Sequence, residues 1–208
     1  FEFTLMAEIK IPAIIAMKGH PGTGKTTVSR SLATFLGIPL IDKDDFRDAT
    51  CTVPLDVALL NELSYDAMFN IAATQLQVGL SVIVDSPLSR RRHLDKLIEI
   101  ASGCGACLLV LECQTADEGV WRERLERRGH SDLDGARRHK PATWDELQRL
   151  LENYQGCTNY DTGDVPKFVV DTSAGEVPAM VSSLVNFVKY HLRECRFPKY
   201  PHPLYEMS

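Results

Sequence analysis

No stretch of the 208 residues approaches the roughly 20 consecutive apolar positions that a membrane-spanning helix needs. No secretory leader is recognisable, and Phe1 to Leu5, ahead of Met6-Ala7, read as a vector remnant. Basic residues are in deficit: 23 lysines and arginines stand against 28 aspartates and glutamates, a net charge of −5. That balance argues against a long nucleic-acid backbone as the main partner, although a local basic patch is compatible with it. No internal repeat or low-complexity tract occurs, which excludes a repeat architecture. The N-K-x-D segment that reads guanine is missing, which disfavours a GTPase switch. Asp132-Leu133-Asp134-Gly135 lacks the later ligands of a calcium loop and reads as a turn.

Cysteine is sparse, with six residues at 51, 104, 107, 113, 157 and 195. Cys104-Gly105-Ala106-Cys107 has C-x-x-C spacing, but no second such pair exists to complete a zinc site, and an apolar strand follows it. The six are expected to be reduced thiols in or beside the core, which fits a cytoplasmic compartment.

What is present suits one soluble α/β domain. Hydrophobic content of 44% and charged content of 25% are ordinary for a globular chain of this length. Gly19-His20-Pro21-Gly22-Thr23-Gly24-Lys25-Thr26 fits GxxxxGK[ST]. An apolar run, Ile9 to Met17, precedes it and reads as a buried strand. An amphipathic stretch, Thr26 to Leu36, follows with Val28, Leu32, Phe35 and Leu36 on one face. Strand, glycine-rich turn and helix are the context that makes this motif a phosphate-binding loop. Its glycines let successive N–H groups point inward, and the helix N-terminus adds partial positive charge. Gly22, Thr23, Gly24, Lys25, Thr26 and Thr27 are therefore expected to hold the phosphates of a nucleoside triphosphate. Lys25 would reach the β- and γ-phosphates, and the Thr26 hydroxyl would face Mg²⁺.

Strand and helix patterns alternate along the rest of the chain, predicting a parallel sheet with helices on both faces. Further strands are expected at Ile38–Ile41, Val82–Val84, Cys107–Leu111 and Phe168–Val170. Helices are expected over Ser64–Val78, with Met68, Ile71, Ala72 and Leu76 inward, and then behind Ser89 as a cap. Thr115-Ala116-Asp117-Glu118 and Thr143-Trp144-Asp145-Glu146 read as capping boxes. Val181, Leu184, Val185, Val188 and Leu192 mark a closing helix. One domain over residues 6–194 and a proline-bearing tail over 195–208 follow from this division.

Ligands of open parallel sheets sit beyond the carboxyl ends of the strands, and that rule selects three clusters. Asp42-Lys43-Asp44-Asp45-Phe46-Arg47 offers a carboxylate to accept a hydroxyl proton and an arginine to hold substrate or transition-state charge. Asp85 closes Val82–Val84 where an acid can hold Mg²⁺. Arg122, Arg124, Arg127 and Arg128 lead into a charged, irregular segment, about 129–142, that suits a lid closing over phosphates.

Together, Ala16–Thr27, Leu40–Arg47, Ser81–Pro87 and Arg124–Arg128 resemble the P-loop small-molecule kinases, a group that includes shikimate kinase, gluconate kinase, chloramphenicol phosphotransferase and the kinase domain of polynucleotide kinase. The resemblance spans about residues 9 to 192. It implies a three-layer α/β/α fold with a five-stranded parallel sheet and a lid, and an enzyme that uses ATP and Mg²⁺. It further implies Asp44 as the general base, Arg47 on substrate, Asp42 and Asp85 near Mg²⁺, Arg124 or Arg127 as lid cation, and Asp171-Thr172 bordering adenine. The acceptor implied is a small-molecule hydroxyl, with a nucleoside, nucleotide or polynucleotide 5′-hydroxyl as the alternative. A regulatory ATP-binding switch protein is the reading from a different class. The segment from Thr50 to Tyr65, which should shape the acceptor pocket, matches no single member.

Overall fold

The computed structural model describes residues 11–131 and 140–195. Five strands form one parallel sheet: β1 (Ala13–Lys18), β2 (Leu40–Asp42), β3 (Val82–Asp85), β4 (Cys107–Gln114) and β5 (Lys167–Asp171), in the order β2-β3-β1-β4-β5. Seven helices accompany them among the described residues: α1 (Lys25–Leu36), α2 (Lys43–Ala49), α3 (Val57–Gln77), α4 (Arg91–Gly103), α5 (Glu118–Ser131), α6 (Trp144–Tyr154) and α7 (Val177–Glu194).

All six residues of β1 are buried, as expected of a central strand covered on both faces. Its side chains alternate between two cores. Ala13, Ile15 and Met17 join Val28 and Leu32 of α1 and Leu184 and Val188 of α7. Ile14 and Ala16 join Met68 and Leu76 of α3 and Leu94 and Leu97 of α4 on the other face. This is the α/β/α layering expected from the alternating pattern. A satellite cluster of Leu125, Trp144 and Leu147 ties α5 to α6.

Several local expectations change. Helix α3 begins at Val57, capped by Asp56 on the N–H groups of Ala58 and Leu59, and not at Ser64. Its first two turns expose Val57, Leu59 and Leu63, so no inward periodicity announced them. Phe35 and Ile71 are likewise exposed, each at 39%, so both inward stripes are narrower than their apolar content suggested. Ser89 does not cap α4: Leu88 takes a φ of 46°, the turn uses Ser89, and Arg90 is the N-cap without a side-chain bond.

Thr115 does not open a capping box either. Strand β4 continues to Gln114, opposite Asp171 of β5, so Thr115 lies beside Thr172 and Asp117 accepts from the Val120 N–H. The Thr143–Glu146 box forms as expected. Cys107 and Cys195 form a disulfide between the start of β4 and the residue after α7, correcting the expectation of six reduced thiols. Eighty-eight residues separate them, which sequence spacing could not connect.

Helix α5 runs through Gly129 to Ser131 instead of breaking there. Residues 132–139, most of the expected lid, lie outside the described residues, as do 1–10 and 196–208. The two flanks of 132–139 meet: Arg128 donates to the Pro141 carbonyl at 2.8 Å, and a Cβ on Gly129 would stand 2.5 Å from the Ala142 oxygen.

Candidate active site

Parallel strands end at one edge of the sheet, and that edge carries the candidate chemistry. β1 delivers the phosphate loop, β2 delivers Asp42, and β3 delivers Asp85, which is the register partner of Asp42. A cavity of about 930 Å³ runs along this edge from Thr172 and Met180, past Gly24–Thr27, to Asp44, Arg47 and Tyr65. Its volume is in the range of a site for a drug-sized ligand.

Backbone geometry explains the loop's glycines. Gly22 has a φ of 84°, and a Cβ there would stand 2.9 Å from Trp121 Nε1. Gly19 has a φ of 140°, and a Cβ there would collide with the Cys113 carbonyl. Neither position tolerates a side chain. Trp121 Nε1 donates to the Pro21 carbonyl at 2.8 Å, so α5 clamps the loop from outside. His20 lies against Trp121 and Tyr154, with ring centroids about 6 Å away. Burial, then Lys25 and Lys18, lower its pKa to about 4, so it is neutral at pH 7.

Lys25 Nζ donates to the His20 carbonyl at 2.8 Å, inside the loop. Burial pulls Lys25 below its ordinary pKa, and Asp85 opposes that effect. Thr26 lines the cavity. Asp85 Oδ2 accepts from Ser29 Oγ at 2.9 Å. Asp42 is 5% exposed; its Oδ1 caps α2 by accepting from the Asp44 N–H at 2.9 Å, while its Oδ2 has no hydrogen-bond partner. Burial first, and then the neighbouring Asp85 carboxylate, push the Asp42 carboxyl up to about 6. Two adjacent buried carboxylates, one with an orphaned oxygen, are a donor set suited to a hard divalent cation. Among the described residues no cluster of three or more His, Cys, Asp or Glu could hold a metal by itself. A Mg²⁺ ion bound largely through phosphates and water needs no such cluster.

Asp44 stands on the cavity wall between two lysines. Lys43 Nζ is 2.9 Å from one carboxylate oxygen and Lys140 Nζ is 2.6 Å from the other. The Lys140 contact joins residues 96 positions apart, and no sequence signal marked it. Arg47 is buried on the same wall. Arg127 is exposed and lines the cavity. Arg124 lines the cavity too, held there by donating to Thr172 Oγ1 at 3.0 Å and to the Thr172 carbonyl at 2.8 Å.

Thr172 joins three elements. Besides Arg124, its hydroxyl lies 2.9 Å from the Thr23 carbonyl and 3.1 Å from that of Gln114. It lines the cavity, whereas Asp171 does not. The Asp171 carboxylate instead accepts from the Ser173 hydroxyl and N–H, which holds its pKa below the ordinary carboxylate value and fixes the turn. The structure therefore brings Gly22, Gly24, Lys25, Thr26, Thr27, Asp44, Arg47, Asp85, Arg124, Arg127 and Thr172 to one cavity and leaves Thr23, Asp42 and Asp171 outside its lining. Trp121, Lys140, Tyr65 and His93 belong to this region and carried no motif, and Lys43 lay within the Asp42–Arg47 cluster without a role of its own.

Residues 14–155 match the family model described as an AAA domain, about two thirds of the chain. The chain belongs to the AAA domain family. Solved structures similar to this chain include P-loop kinases. A candidate kinase from Chloroflexus aurantiacus j-10-fl is 26% identical, with a TM-score of 0.63 over 84% of this chain and 97% of that one. Shikimate kinase from Acinetobacter baumannii, in complex with shikimate, is 17% identical, with a TM-score of 0.55 over 89% and 97%. The Mycobacterium tuberculosis APS kinase, in complex with AMPPNP and APS, is 16% identical, with a TM-score of 0.57 over 86% and 98%. No curated protein sequence matches the chain. The fold is that of a nucleotide-binding P-loop kinase, and no described helix is long and apolar enough to cross a membrane.

Proposed function

We propose that this protein is an ATP- and Mg²⁺-dependent kinase that transfers the γ-phosphoryl group to a hydroxyl of a small molecule in the cytoplasm. The observation that carries the proposal is the single cavity joining the phosphate loop to Asp44 and Arg47. A hydrolytic switch has no need of a second compartment beyond the γ-phosphate position, whereas a transferase must seat an acceptor there.

In this reading Gly22 to Thr27 cradle the phosphates through backbone N–H groups at the start of α1, and Lys25 swings from the His20 carbonyl onto the β- and γ-phosphates. Thr26, Asp42 and Asp85 would hold Mg²⁺, which would supply neutralising charge to the phosphates. Asp44 accepts the acceptor's hydroxyl proton, and Lys43 and Lys140 orient its carboxylate for that task. Arg47 holds acceptor charge, and Arg127 meets the phosphates when the segment about 129–142 closes as a lid. Thr172 borders the adenine end, fixed by Arg124.

The test is a screen of hydroxyl-bearing metabolites and nucleosides, read as ADP released above background hydrolysis. An acceptor whose phosphorylation depends on Lys25 and Asp44 supports the proposal. ATP hydrolysis that no acceptor raises would count against it.

A further inference from the structure

Helix α3 lies at the surface but has the composition of a buried helix. Its 21 residues carry two charged side chains, Glu62 and Asp66, and no lysine or arginine, whereas the 13 residues of α4 carry Arg91, Arg92, Asp95, Lys96 and Glu99. Met68, Ala72 and Leu76 of α3 face the core. Outward, Val57, Leu59, Leu63 and Ile71 are exposed, and Val53 and Leu55 before the helix and Val78 and Leu80 after it extend that surface. Val57 and Val78, at opposite ends, are 68% and 65% exposed. A helix that is apolar on every side is normally covered on every side.

The exposed area sets the size of the cover. These eight aliphatic residues, strung along about 30 Å of helix, offer on the order of 700 Å² to water. That exceeds the few hundred Å² of apolar patch ordinary for a monomer and approaches the roughly 800 Å² that each partner gives to a stable pair.

The polar residues of the face indicate its occupant. Asp66 and Asn70 lie one turn apart, exposed at the middle of the helix, and neither side chain makes a hydrogen bond or ion pair among the described residues. A two-fold axis crossing α3 at the level of Met68 sets a second α3 antiparallel to the first and brings each Asp66 level with the other copy's Asn70. The carboxylate can then accept from the amide twice over, once on each side of the axis. The same axis brings Val57 level with the other copy's Gly79, between Val78 and Leu80, so the apolar ends meet. Antiparallel helix dipoles and a self-complementary two-fold contact suit this arrangement. We propose that the outward face of α3 is a self-association surface, through which two copies of the chain pair with antiparallel α3 helices and with Asp66 of each bonded to Asn70 of the other. Nothing in this pairing depends on the chemistry of the cavity.

Sedimentation velocity of the full chain over about 1–200 μM should show a monomer–dimer equilibrium within that range. Leu63→Glu should weaken the dimer at least tenfold, while melting as wild type does at a concentration where both are monomeric. Asn70→Asp sets two carboxylates against each other and should also weaken it at least tenfold. Adding Asp66→Asn to that variant exchanges the two roles and should return the dissociation constant to within about threefold of wild type. An apolar face that clumps without a fixed register would not show that rescue.

The inference is overturned if the chain stays monomeric throughout, if Leu63→Glu pairs as wild type does, or if the exchanged variant pairs no better than Asn70→Asp. A chain that pairs only after residues 196–208 are removed would put that tail on the face in place of a second copy, and would overturn it as well.

Discussion

Replacing Asp42 by Asn should make the metal-free protein more stable and the nucleotide complex weaker. Asp42 is buried, has one orphaned oxygen and sits beside Asp85 in register, so ionising it in the folded state is unfavourable. Its pKa rises from 3.8 to about 6. A group raised in this way contributes stability below its unfolded value and loses it as pH climbs through the folded one. The interval is about 2.2 pH units, which at about 1.36 kcal/mol each gives about 3 kcal/mol of strain above pH 7. At pH 5 the same reasoning leaves about half of that.

Asn keeps Oδ1 for the Asp44 N–H cap and presents an amide to Asp85, so the strain goes while the cap stays. In EDTA at pH 7.5 the variant should melt roughly 6–12 °C higher, at about 2–4 °C per kcal/mol for a chain of this size. The gain should shrink by about half at pH 5. In Mg²⁺, the variant should bind AMPPNP more weakly than wild type, because a metal ligand is lost. Thermal unfolding by circular dichroism at the two pH values checks the first part and calorimetric titration the second. A variant no more stable than wild type at pH 7.5, or stabilised equally at both pH values, would refute the argument from the buried carboxylate pair.

Four further outcomes are expected. Lys25→Ala should cost orders of magnitude in turnover with the fold intact, read by steady-state kinetics beside circular dichroism, since it removes the cation facing the developing phosphate charge. Asp44→Asn should lower acceptor phosphorylation roughly 10²–10⁴-fold while leaving ATP affinity nearly unchanged, and Lys140→Met should lower it less, having removed only one of the two lysines that orient Asp44. Arg127→Ala should reduce kcat more than ATP affinity, whereas Arg124→Ala should weaken ATP binding and stability by loosening Thr172; equal behaviour of the two would contradict their different placement. Cys195→Ser should lower stability by roughly 2–4 kcal/mol in denaturant unfolding without reductant, and the difference from wild type should vanish when reductant is added.

The parts of the site that could be read in advance are those made from neighbours in sequence. Gly19 to Thr26 is contiguous, and the physics of a strand, a glycine turn and a helix N-terminus acts within about a dozen residues. Asp42, Asp44 and Asp85 could be placed at the sheet's carboxyl edge in advance because a strand's end is itself a local signal. The Thr143–Glu146 box formed because both of its bonds lie within one helical turn. The Thr115 box failed because a strand pairing 57 residues away claimed that threonine, which local propensity cannot anticipate. The first turns of α3 escaped notice because their apolar side chains face outward.

Sequence by itself determined the alternation of strand and helix, the two-faced burial of β1 and the phosphate loop. Each follows from backbone geometry acting over a few residues with a fixed period. Tertiary structure alone decided that Trp121 braces Gly22, that Lys140 meets Asp44, that Cys107 joins Cys195, and that His93 lies buried against Tyr65 on the cavity wall. Those contacts join side chains tens of residues apart, and only the closure of the sheet and the packing of helices against it bring them within bonding distance.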